Sequence, residues 1–180
     1  MGRITMNPIK HVDPLGTIIF PLMLALSRSP VIFGWAKPVP VSRRNFKNPR
    51  KDMTLVALAG PLSNVLLAMV FALALKVLLL VFGPGALSKS KVLESLAAML
   101  WVGMNISIYL GVFNLFPVYP LDGSHIVEGI LPEDKALVYS RMERYGSIIL
   151  IVLLFTGVLQ SVIRPVYALI LIAIRTMFGI

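Results

Sequence analysis

Three residues with chemistry to offer stand in the stretch NLFPVYPLDGSHIVEGILP, 114–132: Asp122, His125 and Glu128. A helix that starts at Asp122 brings all three to one side over roughly two turns, because residues three apart are neighbours on a helix surface. Two carboxylates and an imidazole on one face could hold a metal ion or pass a proton. Each residue also has a plainer use. Asp122 reads as an N-cap accepting from the backbone N–H of Ser124 or His125, as a metal or proton group, or as part of an exposed loop. His125 reads as a second ligand or as a polar tip at a membrane interface, and Glu128 as a group reaching toward water or a basic partner. The other histidine, His11, falls in the turn-rich NPIKHVDP and reads as a loop residue.

The elements that must position these residues are apolar. Of the chain, 57% is hydrophobic and 14% charged, whereas soluble domains are about a quarter charged; the mean hydropathy is +0.86. Run 53–82 carries one charge, Lys76, and runs 95–121 and 146–163 carry none. A spanning helix takes about 20 apolar residues, so the chain has at least three spans and is a polytopic membrane protein. Apolar runs along the whole length exclude a signal peptide as their cause. The absence of cysteine excludes disulfides, thiol catalysis and cysteine metal ligands. The net charge of +9 does not point to nucleic acid, because six basic residues gather in KPVPVSRRNFKNPRK, 37–51, between apolar runs. That pattern reads as a cytoplasmic loop beside anionic headgroups.

The expected fold is all-α: a bundle of about four to five transmembrane helices with a small membrane-edge β element, forming one membrane-embedded domain over 1–180. Within it, 1–52 is irregular and proline-rich, 53–132 holds the core helices, and 133–180 holds the C-terminal helices. Residues 15–33 predict one bent span or a re-entrant hairpin, interrupted by Pro21 and by Arg28 to Pro30. GWAKPVPVS, from Gly34, has the alternation and prolines of an extended edge segment. Run 53–82 ends at GPG, 83–85; a span from about 93 to 113 follows. The span 146–163 then meets Arg164-Pro165, and a last apolar piece either returns through the membrane or continues past a kink. With the basic loop in the cytoplasm, run 53–82 goes out and 93–113 comes back, which places 114–123 toward the cytoplasmic side of the cell (inner) membrane.

An aspartate at membrane depth costs about 2.5–3.5 kcal/mol on insertion scales and is kept where it has a partner. AGPLSN, 59–64, adds Gly60, Ser63 and Asn64 inside an apolar run. These residues serve close helix packing, or Asn64 faces a polar cavity shared with Asn114.

Taken together, NLFPVYPLDG resembles the NxxPxxxxDG signature of the site-2 protease family of intramembrane zinc metallopeptidases. GRITMNPIKHVDPLGT (2–17), GWAKPVPV (34–41) and AGPLSN (59–64) extend the resemblance, in family order, to about residue 132. The resemblance implies that Asp122 is the third zinc ligand and that Asn114 holds substrate or the oxyanion. It matches Asn64 and Gly60 to the neighbouring core helix. It also implies that the segment with Trp35, Lys37 and Pro38 receives substrate as an added strand. The implied substrates are transmembrane helices of other membrane proteins. One departure stands out. The family's HExxH motif, which supplies two histidine ligands and the glutamate base, occurs nowhere in this sequence.

Asp122 alone does not hold a catalytic zinc, which takes three protein ligands, and a site assembled from Asp122, His125 and His11 is the least favoured arrangement. The expectation is a site-2-protease-like chain without the family's first helix, through a truncated gene product or evolutionary loss. Its main rival is an inactive pseudoprotease that binds transmembrane segments. A small transporter or channel ranks last, because the chain shows no internal repeat.

Overall fold

The computed structural model describes residues 12–27, 46–87 and 89–180. The chain divides into two compact units, 1–46 and 47–180. In the first, Asp13 caps a helical segment by accepting from the N–H groups of Leu15 (3.0 Å) and Gly16 (3.1 Å). A π-helical stretch, Pro14–Ile19, runs directly into α1, Phe20–Leu26. Helical conformation therefore continues through Pro21, which follows the π-helical stretch directly. The predicted β segment at 34–41, with Trp35, Lys37 and Pro38, lies outside the described residues, as does His11.

The regular elements described in the second unit are all helices. Its elements are α2 (Pro49–Phe82), the single turn α3 (Pro84–Leu87), α4 (Lys91–Asn114), α5 (Asp122–Ile130), α6 (Glu133–Ser140), α7 (Glu143–Phe155) and α8 (Val158–Phe178). α2 starts four residues before its apolar run, because Pro49 occupies the first helical position and the Asp52 carboxylate accepts from Asn48 N–H at 3.1 Å. It ends at Gly83, whose φ of 73° suits glycine. Ser90 caps α4.

α2, α4 and α8 are long and apolar enough to cross a membrane, and no more than 28% of the most apolar window of each is buried. The described chain therefore covers a minority of these surfaces, as expected of helices that lie in lipid. Where the helices do meet, small residues face larger ones. Ala68 and Ala72 of α2, Met104, Ile108 and Val112 of α4, and Leu159, Ile163 and Ile174 of α8 form the core. α2 and α4 are antiparallel, since Gly111 lies against Pro61 and Asn64 while Gly103 lies against Phe71. α8 runs against α4, with Tyr167 O–H donating to Asn105 Oδ1 and Arg175 stacked on Trp101. A hydrogen bond between spans has no water to compete with it.

The run 146–163 does not form the single span that its length predicts. α7 stops at Phe155, and Gly157 turns the chain with a φ of 74°. The Thr156 hydroxyl bonds back to Val152 and Leu153, closing the last turn. At 13 residues, α7 is about 20 Å long, short of the roughly 30 Å hydrocarbon layer. Arg164-Pro165, the predicted break, lies inside continuous α8; proline is tolerated within membrane helices.

Candidate functional site

α5 lies along the first half of α2, and three contacts fix its direction. Arg50, in the first turn of α2, donates from Nε (3.1 Å) and Nη2 (2.9 Å) to the carbonyl of Glu128 near the C-terminal end of α5. A cation there also meets the negative end of the helix dipole. One turn along α2, Thr54 sits against Gly129 so closely that no side chain fits on that glycine. Farther in, Gly60 faces Asp122: a Cβ on Gly60 would stand 2.6 Å from Asp122 Oδ2. The two helices are thus antiparallel, and glycine at both contacts permits the approach.

Asp122 is the first residue of α5, and Leu121 occupies the cap position. No side-chain capping hydrogen bond forms, so the N-cap expectation is corrected. The reason is geometric: the carboxylate turns outward toward α2, and the N–H of Ser124 goes to the Leu121 carbonyl at 3.0 Å. Asp122 is half-buried. Burial pushes its carboxyl above the ordinary value of 3.8, and His125 one turn away partly opposes the rise.

The loop between α4 and α5 is held from behind. Gly123 is buried beneath the carbonyls of Leu115 and Phe116. Tyr119 donates from its hydroxyl to Glu128 Oε2 at 3.0 Å, and His125 Nδ1 stands 3.4 Å from the same oxygen. The Tyr119 ring meets His125 edge-on. Burial first, then the Glu128 carboxylate, raises the Tyr119 hydroxyl above its usual range. Tyr139 of α6 donates to the Pro117 carbonyl at 2.7 Å. Glu128 and His125 thus belong to a hydrogen-bonded group that fixes the loop, and they do not join Asp122 in a three-ligand cluster.

Asn114 is the last residue of α4. Gly111, one turn earlier on the same face, packs against Asn64 of α2, with 3.4 Å from Asn64 Cβ to a Cβ placed on the glycine. Asn64 and Asn114 therefore belong to facing surfaces of neighbouring helices and are half-buried. Ser63 instead returns its hydroxyl to Ala59 at 2.6 Å.

Sequence reasoning missed Arg50, Thr54, Tyr119 and Gly129. The one signal available for Gly129 was its position seven residues after Asp122, on the same helix face.

Among the described residues, no three histidine, cysteine or acidic side chains converge. Asp122 has the chemistry of a single ligand, but a catalytic zinc takes three from the protein. The described residues therefore do not make a zinc site on their own.

Comparison with known proteins supplies the family. Residues 36–157 match Peptidase family M50. A Bacillus subtilis protein named "Putative zinc metalloprotease YwhC" is 40% identical over 164 residues, which is 91% of this chain and 70% of that protein. A Methanocaldococcus jannaschii protein named "Putative zinc metalloprotease MJ0611" is 37% identical over 76 residues, 41% of this chain and 32% of its own length. No solved structure matches. The chain belongs to Peptidase family M50, the site-2 protease family.

Proposed function

We propose that this protein is an intramembrane metallopeptidase of the cell membrane, acting on transmembrane segments of other membrane proteins. The observation that carries the reading is the Asp122 carboxylate, uncapped and seated against Gly60 of a membrane helix. Gly60 is seven residues past Met53, where the apolar run begins, or about 10 Å along the helix. A carboxylate at that depth is retained where it has a partner, and zinc is the partner that the family provides. In this reading Asp122 is one ligand, and two more ligands with a general base are needed beyond the described residues. Asn114 and Asn64 present amide groups to an unwound substrate backbone, and the segment with Trp35, Lys37 and Pro38 pairs with it as a strand. The basic residues before α2 support a cytoplasmic orientation for this end of the bundle. A crossing beyond α2, α4 and α8 would come from residues 15–33, since α7 is too short to span on its own.

The test uses protein purified from its native membranes. Its N-terminal sequence, zinc content and cleavage of a membrane-embedded reporter are measured with and without Asp122→Ala. The variant is expected to lose both zinc and cleavage; unchanged cleavage would sink the proposal. A second reading is favoured by the single ligand among the described residues and the missing HExxH: a protein that holds transmembrane segments without cutting them. It predicts no stoichiometric zinc but retained capture of the reporter.

A further inference from the structure

The proposed reaction does not use α7, and the two faces of this helix differ. One face is packed: Gly146 is buried against Tyr119, and Leu150 and Leu153 lie on the core shared by α2, α4 and α8. The described residues leave the other face uncovered. Ile148, Ile151 and Phe155 are 63%, 52% and 90% exposed, and Tyr145 is 58% exposed beside them. Arg144, also exposed, begins the same stripe, because 144, 148, 151 and 155 follow at helical intervals of four, three and four. Arg141, exposed one turn before Tyr145, extends it past the start of the helix.

Charge and packing orient this stripe in the bilayer. Residues 133–144 carry six charges and residues 145–155 carry none, so the change from headgroup to hydrocarbon falls at the start of α7. Packing gives the same direction. Tyr119, on which Gly146 rests, donates to Glu128, and the Glu128 carbonyl takes the Arg50 guanidinium from the charged first turn of α2. The other end of α7 reaches the apolar core, at Leu153. The helix is about 20 Å long, against roughly 15 Å for half of the hydrocarbon layer, so its tilted length matches one leaflet. Neither arginine has a carboxylate within ion-pair distance among the described residues, where the ion pair is His125 with Glu128. Glu143 falls about 140° around α7 from the centre of the stripe, and Glu133 and Asp134 open α6 about 10 Å of helix away from Arg141.

We propose that Arg141, Arg144 and Tyr145 hold the phosphate of an anionic phospholipid in the leaflet on the side of the basic loop. One of its acyl chains lies along Ile148, Ile151 and Phe155. A free anion would use only the charged end of this line, whereas a phospholipid uses all of it.

The chain has two tryptophans, so Trp35→Phe and Trp101→Phe clear the background for a reporter at Phe155→Trp, a conservative change at an uncovered position. The full chain carrying these three changes is reconstituted in phosphatidylcholine vesicles with one small mole fraction of brominated phosphatidylglycerol or of brominated phosphatidylcholine. A basic residue near a membrane surface favours an anionic lipid about fivefold, so brominated phosphatidylglycerol should quench the reporter several times more strongly. Adding Arg141→Gln and Arg144→Gln should make the two lipids quench alike, and a preference that survives these changes overturns the proposal. Lys47→Gln with Lys51→Gln removes the same charge from the same side of the membrane and should leave the preference intact. Loss of the preference in that control would assign it to the general surface potential and overturn the site. Equal quenching by the two lipids in the reporter variant overturns it whether or not the arginine variants fold. Absence of quenching by both would show that protein covers this face. Abolition of the preference by excess inorganic phosphate at constant ionic strength would assign the cations to a free anion, and either result overturns the proposal.

Discussion

Gly60→Ala tests the contact on which the proposed site depends. A methyl group on Gly60 would stand 2.6 Å from Asp122 Oδ2, about 0.8 Å short of the 3.4 Å at which ordinary contact begins. Either the helices part or the carboxylate turns. Parting α2 from α5 would also strain the Arg50–Glu128 and Thr54–Gly129 contacts, and overpacking of that kind costs about 1–3 kcal/mol. Turning one short side chain off its rotamer costs about 0.5–1.5 kcal/mol. The carboxylate therefore yields first. A stability loss near 1 kcal/mol lowers Tm by about 3 °C in a chain of this size, whereas a misplacement near 1 Å at a reacting centre costs about 100-fold in rate. The expected result is a protein that melts almost normally in detergent but cleaves a membrane-embedded reporter about 100-fold more slowly. Full cleavage by folded Gly60→Ala would refute the reasoning. A protein too unstable to purify would refute it as well, because the helix contact would then have yielded before the side chain.

Two further outcomes follow from the same helix pair and its loop. Gly129→Ala should lower stability by about 1–3 kcal/mol, because Thr54 is held by its hydroxyl bond to the Arg50 carbonyl at 3.0 Å and cannot swing aside. Adding Thr54→Ala should recover most of that loss in detergent melting, and no recovery would show that Thr54 is not the obstacle. Tyr119 should ionise above the ordinary 10.0, since burial and Glu128 favour its neutral form. The stability it contributes is complete below pH 10 and is lost as pH rises through its higher folded value. A difference titration of phenolate absorbance between the parent and Tyr119→Phe should therefore show its step above 10, and a step at 10 itself would contradict the burial.

The long helices were legible because their cause is local: uninterrupted apolar runs give α2 and α4 with their ends shifted by a few residues. The shift at Pro49 had its own signal, NPRKD, which hydropathy alone passes over. The break at Gly157 was not legible. Glycine is common inside membrane helices, and only the positive φ distinguishes a turn from a continuing helix. Conversely Pro165, the strongest breaking signal in that region, lies inside continuous α8, as membrane helices tolerate. Within the site, Asp122 could be singled out as an acid among apolar residues, but its direction could not. That direction depends on Gly60, 62 residues earlier in the sequence, and on Arg50 and Tyr119, which both hold α5 at Glu128. Pairings of this kind leave no periodicity for a local reading to detect.

The correction at Asp122 bears on function as well as on helix boundaries. As an N-cap its oxygens would accept from the N–H groups of its own helix, and a second role would have to compete with those bonds. In the first helical position the backbone makes no such demand, because Leu121 stands at the cap and its carbonyl receives the Ser124 N–H. The carboxylate is still next to the positive end of the helix dipole, which favours its ionised form, while burial disfavours it. A cation placed against Asp122 would favour the charged form, in competition with the proton that burial favours. The structure thus leaves the Asp122 carboxylate outside the capping bonds of its own helix, and a further role for it meets no competition from them.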